Sequence, residues 1–546
     1  MEDHAAAGTL PTLTLDSPWN WSAVLQGPVR EVLAAALATV LPTRRWFGSK
    51  TRTIREIDIL DAFLLADRFG WLIVRVRFTA GPDEVYQVPA AFVAAAEASA
   101  MNPSARLIQL RSAAGENLGF LYDALRDRDF CRLLLEQFNH PGTRRGTSGE
   151  LIVERTAAFE AARGDAREPL APQPVEAEQS NSSVIFGDRL ILKVFRRVEM
   201  GINPDFELSE FLTRQGFANT PPLAGSLVYR QQGEPWGLAM LQKFVPNRGD
   251  AWCFTLDWLT NVLPAFHDPA AIGAIPELPE TGLVSASNVP LPLDVQAAYE
   301  GFLTSVARLG QRTAEMHLKL AADRAHPDFK PEPFTDADRR HFYGRAGERA
   351  RETFALLRER ASDIPGETRE QALYVAALEP IALARLAKLA EAPAEVDKIR
   401  IHGDYHLGQV LATADDFAII DFEGEPVRSI AERRQKQLAL RDVAGMIRSF
   451  HYASCAAATA ARASARDPAN VDRWTRSWYA WSSVAFLIAY RKTAGTPSFL
   501  PSTPEAFERL LAGCLLEKAI YELRYELNNR PDWVYLPLTS LEDLLS

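Results

Sequence analysis

The hydrophobic pattern changes character along the 546-residue chain. Near the front, apolar and polar residues alternate over 57–65, 71–78 and 84–88, which is typical of antiparallel strands. After residue 298 the apolar residues recur mainly with the helical period, over 299–320, 336–360, 369–390, 438–461, 473–493 and 503–529. We therefore predict strand-rich front units followed by a large helical lobe.

Three further segments organise the middle of the chain. The stretch 160–179 is rich in Ala, Pro and charge, which is typical of an exposed connection. Two β-branched runs, 183–186 and 189–195, flank Gly187-Asp188 and predict a β-hairpin. The Pro-rich acidic stretch 268–297 predicts a long loop.

Composition limits the class of protein. With 60 Lys+Arg and 70 Asp+Glu the formal net charge is −10, which argues against nucleic acid as a partner. The four cysteines are far apart, the N-terminus lacks a basic region followed by an apolar run, and no apolar stretch approaches ~18 residues. We expect a reduced, cytoplasmic protein of three or four structural units, without a membrane partner.

Candidate chemistry concentrates in two neighbouring strings. The first, IHGDYHLGQVL at 401–411, carries one carboxylate, Asp404, and one side-chain amide, Gln409. In the second, IIDFEGEP at 419–426, Asp421 ends a strand that we predict at 417–420. A hairpin-like return would bring Asp404, Gln409 and Asp421 into one pocket.

These three side chains suit phosphoryl transfer. Asp404 can accept the proton of an incoming hydroxyl group as a general base. The Gln409 amide oxygen and the Asp421 carboxylate are hard donors of the kind that Mg²⁺ prefers, and this ion needs few protein ligands when it also binds nucleotide phosphates. The strings therefore predict a site that uses ATP and Mg²⁺.

The same strings carry a family resemblance. HGD at 402–404 with the downstream Asp421 resembles the phosphotransferases of the aminoglycoside-kinase type, which are distant relatives of protein kinases. HGDYHLGQVL, IDFEGEP and RDVAGMIRSF, the last at 441–450, together resemble bacterial maltokinases, which occur free-standing or fused to trehalose synthase. RWFGSK at 45–50 resembles the start of that family's N-terminal cap, and the tail at 518–533 resembles its sugar-binding helix.

This resemblance implies an α+β, bilobal protein-kinase-like fold with a β-containing cap at 1–90 and an intermediate subdomain at 91–178. The kinase N-lobe would cover 179–246 and the helical C-lobe 247–546. The implied reaction transfers the γ-phosphoryl group of ATP to the anomeric hydroxyl of maltose. The product, maltose 1-phosphate, would feed glycogen and other α-glucan synthesis, and trehalose synthase is a candidate partner.

The resemblance also implies an upstream phosphate clamp. Lys193 on the second strand of the hairpin would contact the α- and β-phosphates. Glu207 would orient that lysine, with Glu210 and Asp205 as alternatives. Backbone N–H groups and side chains just before the hairpin would cradle phosphate in place of a Gly-rich loop. The residues assigned to that cradle are Ser180, Asn181, Ser182 and Ser183.

A strand running into a connector, at 238–245, would contact the adenine ring. In a kinase-like fold the connector between the lobes offers backbone groups to the base. Gln242 and Val245 are the predicted contributors.

The last helix supplies a candidate acceptor face. Lys518, Tyr521, Glu522 and Tyr525 follow i, i+3, i+4, i+7 spacing and therefore share one side of the helix. From the residues alone, Lys518 and Glu522 could equally form an i, i+4 surface ion pair. The maltokinase tail contacts the disaccharide, so the resemblance favours a sugar-binding face. His406 in the catalytic loop and Arg530 at the helix end complete the predicted acceptor contacts.

Two other functions remain open. An amino-sugar kinase, such as a glucosamine kinase, would share the nucleotide residues and differ at the acceptor face, where Lys518 disfavours an ammonium-bearing substrate. A non-catalytic kinase-like partner of trehalose synthase would be expected to lack at least one of the four chemical residues. Asp404, Gln409, Asp421 and Lys193 are all present.

Overall fold

The computed structural model describes residues 10–16, 19–165, 167–175, 181–263, 276–277, 282–393, 395–462 and 467–545. It divides into two compact units. The first unit comprises residues 1–213 and 221–246, and the second comprises 214–220 and 247–546. The division after residue 246 coincides with the predicted boundary between N-lobe and C-lobe.

Strands dominate the first unit. Its strands are β1 Thr12–Leu15, β2 Ile54–Ala66, β3 Phe69–Phe78, β4 Glu84–Ala94, β5 Arg106–Ser112, β6 Asn117–Asp123, β7 Gly142–Arg145, β8 Glu150–Arg155, β9 Pro172–Pro174, β10 Asn181–Phe186, β11 Leu190–Phe195, β12 Arg197–Val198, β13 Leu223–Gln231 and β14 Glu234–Lys243. Its helices are α1 Trp21–Val24, α2 Gly27–Val40, α3 Arg128–Asn139, α4 Phe159–Arg163 and α5 Pro204–Arg214.

These strands form two sheets of seven. The first has the order β1-β5-β6-β4-β3-β2, with β12 added to β4, and the second has the order β7-β8-β13-β14-β11-β10-β9. All pairs are antiparallel except β1 with β5. The predicted hairpin is confirmed as β10 and β11, with Gly187 in the turn at φ +61°. The segment 91–178 has no sheet of its own among the described residues, because its strands are divided between the two sheets.

A buried carboxylate joins the two sheets. Asp61 on β2 accepts hydrogen bonds from the backbone N–H groups of Thr147 (2.6 Å) and Ser148 (3.1 Å), in the turn between β7 and β8. It also accepts one from the Tyr229 hydroxyl on β13, at 3.2 Å. Gln87 on β4 makes a second connection by donating to the carbonyl oxygens of Phe195 (2.7 Å) and Leu238 (2.6 Å). The first unit is therefore held by directional polar contacts as well as by its apolar core.

Helices dominate the second unit. They are α6 Ala251–Val262, α7 Gly282–Ala286, α8 Leu293–Ala298, α9 Phe302–Leu320, α10 Asp336–Arg360, α11 Gly366–Ala377, α12 Glu379–Glu391, α13 Ile430–Arg433, α14 Leu440–Arg462, α15 Pro468–Ala494, α16 Pro504–Asn529 and α17 Tyr535–Leu545. Two short hairpins are also present, β15 Glu332–Pro333 with β16 Asp397–Lys398, and β17 Val410–Ala412 with β18 Phe417–Ile419.

Two predictions about this unit need correction. The predicted helix 369–390 is two helices that meet at Leu378, since Pro380 at the second position of α12 has no N–H to continue the earlier helix. The predicted loop 268–297 contains α7 and the start of α8, while 268–275 and 278–281 lie outside the described residues. None of the helices in the described part of the chain has the length and apolar character that crossing a membrane requires.

We expect Asp61→Ala to weaken the first unit. The substitution leaves the part-buried hydrogen bonds of the Thr147 and Ser148 N–H groups and the buried Tyr229 hydroxyl without their acceptor, which should cost about 3 kcal/mol of unfolding free energy. Urea unfolding followed by tryptophan fluorescence measures this loss. Tyr229→Phe, which removes a single bond to the same carboxylate, is the matched control and should cost about 1 kcal/mol. Equal losses in the two variants would contradict this account of Asp61.

Candidate active site

A buried carboxylate accepts hydrogen bonds from the backbone of the loop that carries Asp404. Asp442, at the start of α14, is 1% exposed and accepts the backbone N–H groups of His402 (2.8 Å) and Gly403 (3.0 Å). His317 on α9 donates to it from Nε2 at 3.0 Å. Burial opposes ionisation of Asp442, but these hydrogen bonds outweigh it and lower its pKa below the ordinary value. The backbone of the loop is therefore bound to a charged carboxylate at the start of α14.

Side chains on either side of Asp404 point into the protein. His402 is buried and donates from Nε2 to the carbonyl oxygen of Ile420, at 2.9 Å. Tyr405 is also buried, and its hydroxyl lies 2.9 Å from that of Thr313. The side chain between them is left partly accessible, with 24% of the Asp404 side-chain surface exposed. The loop thus presents one carboxylate to its surroundings while its neighbours fix the backbone.

Gln409 and Asp421 lie at the open end of the β17–β18 hairpin. Val410 pairs with Ile419, and the N–H of Ile420 donates to the carbonyl oxygen of Gln409 at 3.0 Å. Asp421 follows with φ +67°, a left-handed conformation that Asp tolerates better than most residues and that is common at functional sites. The predicted hairpin-like return is therefore present, and it ends at the two predicted metal ligands.

The donor set at this hairpin end fits a Mg²⁺ ion. A carboxylate from Asp421 and an amide oxygen from Gln409 are hard ligands, and together they leave most of an octahedral shell to water and phosphate oxygens. No sulfur or imidazole ligand belongs to the predicted pair, so softer ions have no particular preference for it.

Lys518 on α16 reaches the catalytic carboxylate. Its Nζ lies 3.2 Å from Asp404 Oδ1 and 3.7 Å from Glu425 Oε1, and 4.8 Å from the ring centroid of Tyr521. Burial alone would lower the pKa of Lys518, but Asp404 and Glu425 outweigh it and raise the pKa above the ordinary value. The alternative prediction, a surface ion pair between Lys518 and Glu522, is therefore wrong. Glu522 instead accepts a hydrogen bond of 2.8 Å from Nε of the buried Arg448 side chain, with which it forms an ion pair.

One cavity of about 460 Å³ gathers the predicted acceptor residues around Asp404. Aromatic rings supply flat walls, and charged or polar groups supply hydrogen-bonding partners, which is the mixture that a sugar needs. The six predicted residues that line it are His406, Lys518, Tyr521, Glu522, Tyr525 and Arg530. The guanidinium of Arg530 lies over the rings of Tyr525 (5.3 Å) and Trp533 (5.1 Å). Burial lowers the pKa of His406, so its imidazole is neutral near pH 7.

Several lining residues were not predicted. Glu526 continues the i, i+4 series from Lys518 and Glu522, so its spacing could have revealed it. Asp250 is the N-cap of α6, Trp252 belongs to α6, and Tyr452 belongs to α14. Asp250 and Trp252 are far in sequence from the motifs, so only folding brings them here, whereas Tyr452 lies two residues after the string at 441–450.

In the first unit, Lys193 forms an ion pair with Asp205, with 2.8 Å between Nζ and Oδ2. Asp205 is one of the predicted alternatives, and it lies in the first turn of α5. The orienting role of Glu207, the favoured residue, stays a prediction. Asp205 is 2% exposed at its side chain, so a buried carboxylate holds this lysine.

The predicted phosphate cradle is partly strand. Asn181, Ser182 and Ser183 belong to β10 and pair with β11, where Ser183 lies opposite Lys193. The Ser182 hydroxyl accepts a bond of 2.7 Å from Arg196 Nε. Ser180 lies outside the described residues. A strand places alternate side chains on opposite faces, so these residues do not form the loop that we predicted.

The two predicted adenine contacts lie at the end of the first unit. Gln242 is buried near the end of β14, and Val245 follows that strand one residue before the unit ends. The Gln242 side chain donates to the carbonyl oxygen of Pro221, at 3.5 Å. Its backbone pairs with Ile191 of β11 and with Leu223 of β13, and the contact of Gln242 with a base stays a prediction.

Comparisons with known proteins agree with this architecture. Residues 41–127 match the model of the maltokinase N-terminal cap domain. A glucosamine kinase from Streptacidiphilus jiangxiensis is 29% identical over 420 residues, covering 74% of this chain and 83% of the relative. A glucosamine kinase from Mycolicibacterium smegmatis is 26% identical over 419 residues, covering 76% and 87%.

A solved structure shares the fold. A glucosamine kinase in complex with glucosamine, ADP and inorganic phosphate superposes with a TM-score of 0.61 at 22% identity, covering 97% of this chain and 100% of that one. The α+β kinase-like fold with an N-terminal cap is confirmed. The protein is maltokinase-like in its cap and kinase-like in its fold.

We expect Asp442→Asn to displace the catalytic loop. The amide can accept at one oxygen only, so one buried N–H loses its partner, and unfolding free energy at pH 7 should fall by about 2–4 kcal/mol. The wild-type advantage should shrink as the pH falls below about 4, because a carboxylate with a lowered pKa stabilises the fold only above the unfolded-state pKa. Asp472→Asn, which breaks an ion pair with Arg462 at the surface, is the control and should change stability by less than about 1 kcal/mol. A pH-independent difference would contradict the anchor role.

Proposed function

We propose that this protein, an ATP-dependent sugar kinase, phosphorylates the anomeric hydroxyl of maltose. The observation that carries the proposal is the cavity in which the acceptor residues surround Asp404. The hydroxyl proton passes to the Asp404 carboxylate while the hydroxyl oxygen forms a bond to the γ-phosphorus of ATP. The bond from that phosphorus to the β–γ bridging oxygen breaks, and maltose 1-phosphate and ADP are formed.

Other residues hold the nucleotide. Gln409 and Asp421 would bind Mg²⁺, which when present neutralises charge on the transferring phosphoryl group. Lys193, fixed by Asp205 at 2.8 Å, is assigned to the α- and β-phosphates. Backbone groups of Gln242 and Val245 are assigned to the adenine ring. Positioning and electrostatic stabilisation account for most of the catalysis in this reaction class, so the rigidity of these residues matters more than their reactivity.

Charge balance in the cavity supports a neutral acceptor. Three of its carboxylates already have cationic partners, namely Asp404 with Lys518 (3.2 Å), Glu522 with Arg448 (2.8 Å), and Glu526 with Arg530 (2.8 Å). An ammonium group on the substrate would have to compete with these cations for the carboxylates. A disaccharide of neutral hydroxyl groups can instead bind their remaining lone pairs and donors.

Glucosamine is the second candidate acceptor. Both relatives compared above are glucosamine kinases, and one carboxylate oxygen of a cavity-lining residue would suit an ammonium group. Glu526 Oε2 is buried and has no hydrogen-bond partner among the described residues. Burial raises the pKa of Glu526 above its ordinary value, which a nearby ammonium would reverse.

The setting of the reaction follows from its product. A sugar phosphorylated at the anomeric carbon is an activated glycosyl donor, so we place the enzyme before a glycosyl transfer that extends an α-glucan such as glycogen. Trehalose synthase, which is fused to some maltokinases, is the proposed partner. A non-catalytic role beside such a partner would leave Mg-ATP consumption independent of sugar.

We expect Asp404→Asn to abolish turnover while nucleotide binding survives. The amide cannot accept the hydroxyl proton, and this change should lower kcat at least ~100-fold, within the usual range for general-base removal. ADP release with saturating maltose measures turnover, and calorimetric titration with ADP measures binding. Activity above about a tenth of wild type would remove Asp404 from the role of base.

A phosphorylation screen of maltose, glucose, glucosamine and trehalose decides the acceptor. We expect the highest kcat/KM with maltose, because the paired carboxylates favour a neutral sugar. Glu526→Gln is the diagnostic variant, since it removes negative charge and keeps the shape. If glucosamine is the substrate, this variant should raise its KM about tenfold or more, as the loss of a charge-assisted hydrogen bond does. Turnover of glucosamine without turnover of maltose would overturn the maltose assignment.

A further inference from the structure

Lys518 is the meeting point of three segments in the second unit. It belongs to the acceptor helix α16, its ammonium group contacts Asp404 of the catalytic loop at 3.2 Å, and it contacts Glu425 at 3.7 Å. Glu425 follows four residues after Asp421, the predicted metal ligand. One side chain therefore links the acceptor helix, the base and the segment that continues from the metal ligand.

The Lys518 side chain needs more than one contact to be fixed. Lysine has four rotatable bonds, and its ammonium group is a compact charge without the planar geometry that orients an arginine. A bond to Asp404 alone would leave the pair free to move within a partly open cavity. The second carboxylate of Glu425 and the ring of Tyr521, 4.8 Å from Nζ, restrict the ammonium group from other sides.

Glu425 is itself immobile. It is 2% exposed, and it accepts a short hydrogen bond from Arg428 Nε, while Arg441 lies 3.9 Å from its other oxygen. Burial opposes its ionisation, but Lys518, Arg441 and Arg428 lower its pKa to about 2. Glu425 is therefore a charged carboxylate at neutral pH, held on the side away from the cavity.

The surrounding charges make Glu425 essential to the position of Lys518. Arg428 and Arg441 are the other cations at this point. Without the negative charge of Glu425, Glu517 is the one carboxylate that the described structure still pairs with both guanidinium groups, and the ammonium group would be repelled from them toward the cavity. The anchor that holds Asp404 would then be lost.

We propose that Glu425 is a positioning residue for phosphoryl transfer, which acts by anchoring the Lys518 ammonium group so that the Asp404 carboxylate stays turned into the acceptor cavity. The inference rests on the proposed sugar-kinase function. It assigns a role to a carboxylate that touches neither the sugar nor the metal ligands in the mechanism above. It also makes Lys518 a support for the base, in addition to its place on the acceptor face.

Glu425→Gln tests this role, since it keeps the size of the side chain and removes its charge. We expect kcat to fall about 10- to 100-fold, as small displacements of catalytic groups cause, while the KM for ATP stays within about twofold. Glu517→Gln is the matched control, because Glu517 is also buried and contacts Arg441 (3.3 Å) and Arg428 (3.9 Å), yet its carboxylate forms no ion pair or hydrogen bond with the neighbouring Lys518 in the described structure. A fall in kcat smaller than tenfold for Glu425→Gln, or an equal fall in Glu517→Gln, overturns the proposal.

A double-mutant cycle with Lys518→Met shows whether Glu425 acts through the lysine. Single-turnover assays keep slow variants measurable. If the role is correct, Glu425→Gln changes the rate less than twofold in the Lys518→Met background, because the intermediary is already absent. If the effects of the two substitutions on the rate multiply, Glu425 acts independently of Lys518, which contradicts the proposal.

Two further measurements distinguish a folding defect, a failure of the proposed function and a failure of the Glu425 inference. If Glu425→Gln does not fold, as melting temperature and ADP binding would show, Glu425→Asp replaces it in both experiments. This variant keeps the negative charge on a side chain that is one methylene shorter. Its loss of kcat must also disappear in the Lys518→Met background. If the wild-type protein phosphorylates no sugar, the proposed function fails. If it does and Glu425→Gln matches it, only this inference fails.

Discussion

The candidate active site depends on the hydrogen bonds that the buried carboxylate of Asp442 accepts. A charge inside an apolar core must be paired or hydrogen-bonded, and Asp442 satisfies this requirement with two N–H groups of the catalytic loop and with His317. The loop cannot leave its position without exposing this charge to an apolar environment. Ser449, two turns further along α14, accepts the N–H of Leu407 at 3.1 Å and holds the other end of the loop. One rigid helix therefore determines where Asp404 stands.

The same helix also positions the acceptor helix α16 through a buried ion pair. Arg448 of α14 binds Glu522 of α16 at 2.8 Å. Buried pairs of this kind add little net stability, because desolvation of the ions offsets most of their attraction. Their effect is geometric, since an unpaired ion on either helix would cost several kcal/mol and so disfavours any other register. The acceptor helix and the catalytic loop are thus located against a common support, which explains how Lys518 can meet Asp404.

Much of this architecture could be predicted from local patterns. The hairpin β10–β11, the front strands and most long helices follow from hydrophobic period and turn residues. The convergence of Asp404 with the acceptor residues could be predicted because the motifs resemble one family. Which carboxylate pairs with which cation could not be predicted from sequence spacing. Lys518 has one carboxylate at helical spacing, yet its partners come from 114 and 93 residues away in sequence, as Asp404 and Glu425.

Because the net charge of the protein is −10, the binding of an anion depends on single cations close to it. A protein with an excess of carboxylates has no general field that attracts ATP, and at physiological salt the Debye length of about 8 Å limits any charge to its immediate surroundings. A polyanion must then be held by groups that lie within a few ångströms, such as Lys193 and the ion that Gln409 and Asp421 suit. The same reasoning applies to the acceptor cavity. Its carboxylates are balanced locally by Lys518, Arg448 and Arg530, so a neutral sugar can approach Asp404 while the pairing keeps every charge in place.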